Sequence, residues 1–209
     1  MAFYCSKRAC FVDKSTNKRL RGLWRVTSAK YCPIYTPPPG LGKRTRYSGL
    51  EAGKNLDEAV TAIISNNKAA LKAIPQWHCR LALKIVQTLR KAKICYLKSQ
   101  VVVHNKEKGI ATAVDILGRS TRSKKTWILE LKYCGHRIEN VKRCYRRASP
   151  KHPRMKKLFR ANSLHERHQL QLRETVKLFC HSTKTPKANI EAGVLVACGC
   201  GSLIFYKGA

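Results

Sequence analysis

Acidic residues are scarce in this chain: 11 Asp and Glu stand against 43 Lys and Arg in 209 residues, a formal net charge of +32. That imbalance excludes an acidic or charge-neutral surface and implies a polyanionic partner. Nucleic acid is the first candidate and an anionic membrane surface the second. Long apolar runs are also missing. No stretch approaches the roughly 18 residues that a spanning helix needs. No apolar signal-peptide core follows Met1, so a secretory route is not expected. Of the ten cysteines, none forms a C-x-x-C pair, and C-G-C at 198–200 is too tight for the usual zinc spacing. They read as reduced thiols packed in apolar runs, in an intracellular, reducing compartment. No Ser/His/Asp ordering, Gly-rich phosphate loop or H-E-x-x-H appears. Hydrophobic content of 44% is ordinary for a globular domain.

With so few acids, the position of each one carries information. Residues 110–133, IATAVDILGRSTRSKKTWILELKY, hold two apolar runs around a polar turn rich in Ser, Arg and Lys. Both runs have the length and the β-branched and aromatic content of strands, and together they read as a hairpin. Asp115 ends the apolar part of the first run. Glu130 and Lys132 lie at i and i+2 in the second and therefore share a strand face. An isolated ionised carboxylate is costly to bury, so such a group is usually paired, hydrogen-bonded or bound to a metal.

The rest of the chain divides by composition. Residues 1–50 contain 11 Lys and Arg and a single acid, Asp13. With the Pro/Gly-rich PIYTPPPGLGKR, residues 1–52 read as a basic, partly extended arm. A transit peptide would carry more serine, which makes the nucleus a more plausible destination than the mitochondrion. From Gly53, GKNLDEAVTAIISNN places Leu56, Val60 and Ile63-Ile64 on one helical stripe, with Asn55 as N-cap and Asp57 and Glu58 in the first turn. A second helix follows Pro75, with Leu81, Ile85 and Leu89 in its stripe; His78 on it reads as a structural residue. KICYLKSQVVVHN reads as a strand. YCGHRIENVKRCYRRASPKHPRMKKLFRA carries ten Lys and Arg against one acid, Glu139, with Tyr133, Tyr145 and Phe159 interleaved. It reads as a nucleic-acid strip over about 134–161, with Arg143, Arg146, Arg147, Lys151, Arg154, Lys156 and Lys157 on phosphates. Asn162-Ser163 then cap a helix, SLHERHQLQLRETVKLFCHST, and AGVLVACGCGSLIFYKG closes the chain as two strands that extend the same sheet.

Asp115 followed by Glu130-Leu131-Lys132, on adjacent strands after a helix and a first strand, resembles the D…E-x-K core of the PD-(D/E)XK nuclease superfamily. The later H-Q-L-Q-L, with Gln169 and Gln171, is similar to the helical Q-x-Q of the lambda exonuclease, YqaJ and viral alkaline nuclease branch; RecB-type nucleases carry a comparable glutamine. The resemblance spans about residues 53–207 in element order but rests on few residues. It implies an α/β fold with a restriction-endonuclease-like core: a central mixed β-sheet flanked by helices, preceded here by the basic extension. It implies a metal-dependent DNA nuclease of viral or mobile-element type, with RNA not excluded as substrate. Such an enzyme acts on ends in recombination, replication or repair, or cleaves particular structures as an endonuclease. Asp115, Glu130 and the backbone carbonyl of Leu131 would hold Mg²⁺ or Mn²⁺. Lys132 would orient or deprotonate water or stabilise phosphate charge, and Gln171 would hold the lysine and the water. Several branches place an additional acid on the preceding helix or first strand; here that strand offers Gln100. The competing expectation is a non-catalytic basic protein that binds RNA or DNA, which accounts for the charge but not for the three residues in register.

Overall fold

The computed structural model describes residues 2–5, 10–31, 43–135 and 164–208. The chain forms a mixed eight-stranded sheet with helices on both faces. In chain order the elements are β1 (Ala2–Cys5), β2 (Cys10–Asp13), β3 (Arg19–Gly22), α1 (Leu23–Tyr31), α2 (Lys43–Ile64), α3 (Lys68–Lys72) and α4 (Gln76–Lys91). They continue as β4 (Ile94–Asn105), β5 (Ile110–Ser120), β6 (Thr126–Cys134), α5 (Leu164–Thr183), β7 (Ile190–Cys198) and β8 (Leu203–Lys207). The sheet order is β1-β2-β3-β5-β6-β7-β8, with β4 on the other edge of β5.

Hydrophobic burial explains the layering. Leu56 and Val60 of α2 and Leu81, Ile85 and Leu89 of α4 recur at helical spacing. They pack on Ile116, Leu129, Leu131 and Leu195 of the sheet. Leu172, Val176 and Phe179 of α5 pack on the opposite face, against Val103, Val114, Ile128, Val194 and Val196. Strand β7 is sandwiched between the two layers. Val194 and Val196 point to one, Leu195 and Ala197 to the other. A strand buried on both faces has no use for alternation, hence the unbroken VLVAC. It runs parallel to β6 in register from Thr126↔Ile190 to Cys134↔Cys198, and β8 returns antiparallel to it. Among the described residues no helix is long and apolar enough to cross a membrane.

Two boundaries differ from the sequence reading. Residues 1–52 are not only an arm. β1–β3 form an antiparallel meander, and β3 joins β5 in parallel through Arg21↔Ile110 and Gly22↔Ala111. Asp13 is buried and bonds to Ser15 and Thr16. It also pairs with Lys106 Nζ at 3.2 Å, which ties this meander to the β4–β5 turn. Strands of only four residues carry little signal of their own, and the partner of β3 is 89 positions away, where no local pattern reaches. Helix α2 begins at Lys43 rather than beyond Gly53, because Gly at an exposed helix position costs only about 1 kcal/mol relative to Ala. Asn55 and Asp57 are therefore mid-helix, so neither the N-cap expected of Asn55 nor the first-turn position expected of Asp57 applies. The basic strip and the Asn162-Ser163 cap lie outside the described residues.

Candidate active site

Strand β5 is where the sheet forks. One edge is bonded to β4 along its length. The other edge pairs with β3 at Ile110 and Ala111 and with β6 only from Ile116↔Leu129 to Arg119↔Thr126, leaving 112–115 without a partner strand on that side. Asp115 sits at the crotch of this fork. Its Oδ2 accepts the Leu131 N–H at 2.9 Å, a side-chain substitute for the ladder bond that the divergence removes. Val114 packs in the α5 layer and Ile116 in the α2/α4 layer, so the strand changes face across Asp115.

Glu130 and Lys132 follow on β6. Glu130 is 2% exposed. Its Oε1 accepts Lys132 Nζ at 2.5 Å, and the same oxygen accepts the Gln171 Nε2–H from α5. Gln171 thus holds the glutamate, rather than the lysine that the resemblance implies. Gln169 faces away, its Nε2 reaching Lys207 O at 3.4 Å beside β8. On α5, Gln171 and His168 face the site, while Leu172 and Val176 fill the core.

A residue that the sequence reading placed only in the first turn of a helix completes the group. Asp57 of α2 makes no hydrogen bond or ion pair among the described residues, yet Lys132, Glu130 and Asp115 all feel its charge. Burial, with Glu130 and Glu58 adding to it against the pull of Lys132, pushes its carboxyl up to about 6. Asp115 is raised well above the usual carboxylate range, by burial first and by Glu130 second. Burial alone would lower Lys132, but Glu130, Asp115 and Asp57 outweigh it and raise the ammonium above its ordinary value. Lys132 is a cation and a hydrogen-bond donor in this setting, which favours charge stabilisation over proton abstraction. His168 on α5 is held neutral, by burial first and then by the Lys132 charge. Two signals for Asp57 were present in the sequence: its place among so few acids, and its position directly beside the buried stripe at Leu56.

The donor set suits a hard divalent cation. Glu130 contacts Lys132, Asp115 is bonded to the next strand, and Asp57 lies within electrostatic reach of them; Asp57 and Asp115 are raised by burial and by neighbouring acids, a cost that a cation relieves. Among the described residues no three His, Cys, Asp or Glu side chains form a preassembled ligand group. Mg²⁺ keeps several waters and is commonly held by one or two carboxylates plus substrate phosphate, so the sparse set is compatible with it. Gln100 is not drawn into the cluster. It lies between Ser99↔Ile116 and Val101↔Val114, hence opposite Asp115. Its φ is 52° and its side chain is exposed, with no bond to the acids. The Leu131 side chain belongs to the α2/α4 core. Arg143, Arg146, Arg147, Lys151, Arg154, Lys156 and Lys157 lie outside the described residues.

Comparison with protein-family models, with curated proteins and with solved structures finds no match to this chain.

Proposed function

We propose that this chain is a metal-dependent nuclease that hydrolyses phosphodiester bonds in DNA. The observation that carries the reading is the gathering of Asp57, Asp115 and Glu130 around Lys132 at the fork of β5 and β6, inside a protein of net charge +32. Unlike Asp13, whose carboxylate is satisfied by its own turn and by Lys106, the acids at this fork repel one another, and removing charges from water is costly unless something repays it. The finer fold assignment, a restriction-endonuclease-like core, belongs to this proposal. It is supported by the order α4-β4-β5-β6 and by the acids' positions on it.

Bound there, Mg²⁺ or Mn²⁺ supplies charge relief on the phosphate and a lowered pKa for the attacking water. The protein's own groups do the rest. Asp115 and Glu130, with Asp57 from α2, would hold the cation. Lys132 donates to the phosphate oxygen or the water and stabilises developing charge. Gln171 fixes Glu130 so that the carboxylate is preorganised, and the neutral His168 adds no competing positive charge to the Lys132 side. The reading extends to action on DNA ends in recombination, replication or repair, in the nucleus, by a nuclease of viral or mobile-element type. A non-catalytic basic protein that binds RNA or DNA would account for the charge but not for the three acids at one point.

The test incubates linear and circular DNA with Mg²⁺, Mn²⁺ or EDTA and compares wild type with Lys132→Ala, Asp115→Asn and Glu130→Gln. Cleavage should require the metal and fall by roughly 10²- to 10³-fold or more in each variant, while DNA binding persists. Loss confined to linear DNA identifies an exonuclease. Equal loss of binding and cleavage in folded variants, or undiminished cleavage, would count against the assignment.

A further inference from the structure

The opposite end of β5 carries a second constellation. A cavity of about 460 Å³ opens there, lined by Tyr96, Arg119, Ser120, Thr121 and Lys124. It forms because β4 has one residue more than β5 between Cys95↔Arg119 and Lys98↔Leu117. In a regular strand Ile94 and Leu97 would point to opposite faces. The bulge lets both enter the α2/α4 core and leaves the surplus residue outside. Gly118 makes this possible, since a Cβ there would stand 2.6 Å from Ile94 Cγ2 and 3.0 Å from Leu97 Cδ2.

The surplus residue is Tyr96. It is 79% exposed and adopts φ 49°, a left-handed conformation that glycine would accept without penalty. Folding therefore gains nothing from an aromatic here, neither burial nor backbone ease. Two flanking lysines, Lys93 at φ 63° and Lys124 at φ 60°, share the left-handed conformation. Arg119 Nε donates to Lys124 O at 3.4 Å, which holds the guanidinium beside the turn. None of the ion pairs among the described residues engages Arg119 or Lys124. An unpaired guanidinium and ammonium beside an open aromatic face match a phosphodiester with its base.

We propose that this pocket is a binding subsite for single-stranded DNA, in which a base stacks on Tyr96 while Arg119 and Lys124 hold the adjoining phosphate. It goes beyond the nuclease reading, because the subsite needs neither metal nor cleavage and is tested in EDTA. A base in a duplex is already stacked on its neighbours, so the preference is for a single strand.

The experiment measures fluorescence anisotropy of labelled oligothymidylate, a matching duplex and oligouridylate with the full chain in EDTA. Tyr96→Gly should stay folded, with a melting temperature at or above wild type. Its affinity for oligothymidylate should drop roughly 5- to 150-fold, the range for one lost base–aromatic stack. Duplex affinity should hold, and Tyr96→Phe should bind as wild type. Lys124→Gln should lower the salt slope by about 0.7, one single-strand phosphate contact. In parallel, photocrosslinking of iodouracil-bearing DNA should place an adduct on Tyr96. Unchanged oligothymidylate affinity, an equal loss on duplex, or a loss confined to oligouridylate would overturn the proposal. Should Tyr96→Gly unfold, the crosslink decides, and its absence from Tyr96 overturns the subsite.

Discussion

Asp115 and Arg119 stand on the same strand, about 13 Å apart at 3.3 Å per residue, in opposite electrostatic settings. At the Asp115 end β5 parts from β6, and Asp115, Glu130 and Asp57 lie within electrostatic reach of one another and of Lys132. At the Arg119 end β5 is paired on both sides, the strand beside it bulges outward, and bases and an aromatic ring lie open to solvent. Exposed lysines and arginines are cheap, because water solvates them; buried acids are not. Forty-three basic residues scattered over a surface therefore need no individual explanation. Acids of α2, β5 and β6 held within electrostatic reach of one lysine do need one. The lesson is that in a strongly charged protein a buried residue of the minority sign calls for an explanation that an exposed residue of the majority sign does not.

The comparison is broken most severely at the acid end by the two glutamines of α5. Gln171→Ala should cost ~10² in turnover, the penalty for loosening a catalytic group by about 1 Å, with little change in DNA affinity. Gln169→Ala, whose amide serves β8, should leave turnover close to wild type. Single-turnover cleavage with each variant checks this. A larger effect from Gln169 would mean that α5 is rotated from the register described.

A milder test uses protons in place of metal. Asp57 has its folded carboxyl raised from 3.8 to about 6. Folding therefore favours its protonated form. The stability this contributes is fully present below pH 3.8 and is lost as pH rises through 6, about 3 kcal/mol in all by linkage. His168 slopes the other way, because a depressed imidazole destabilises the fold as pH falls below 6.5. The difference between wild type and Asp57→Asn isolates the carboxylate. Denaturant melts from pH 4 to 7.5 in EDTA should show Asp57→Asn gaining relative stability as pH rises. At pH 7.5, Mg²⁺ should raise the wild-type melting temperature and raise that of Asp115→Asn far less. A flat difference curve would remove Asp57 from the cluster.

The smallest effect is expected at the basic end. Gly118→Ala forces a methyl against Ile94 and Leu97 and should destabilise the fold by roughly 1–3 kcal/mol, the usual cost of overpacking. It should also weaken single-strand binding if the bulge positions Tyr96, with cleavage chemistry on duplex ends unaffected. Thermal melts and oligothymidylate titrations separate the two readouts.

The pattern of residues alone determined the parts of this protein built by local rules. The apolar stripe of α4, the β5–β6 hairpin with Glu130 and Lys132 on one face, and the doubly buried β7 with its return in β8 follow from periodicity and turn chemistry. The side of α5 that carries Gln171 follows from helical spacing. Tertiary structure alone decided the remainder. The first ten residues of α2, KRTRYSGLEA, lack an apolar stripe, so nothing local announces that the helix starts at Lys43. The parallel pairing of β3 with β5 joins segments far apart in the chain. Asp57 meets Asp115 and Lys132 across 58 and 75 positions, because α2 packs over the fork. Tyr96 is exposed because a bulge turns Ile94 and Leu97 the same way. A charge's cost depends on what surrounds it, and in this chain those surroundings come from distant elements, so the environment of each acid is a property of the fold.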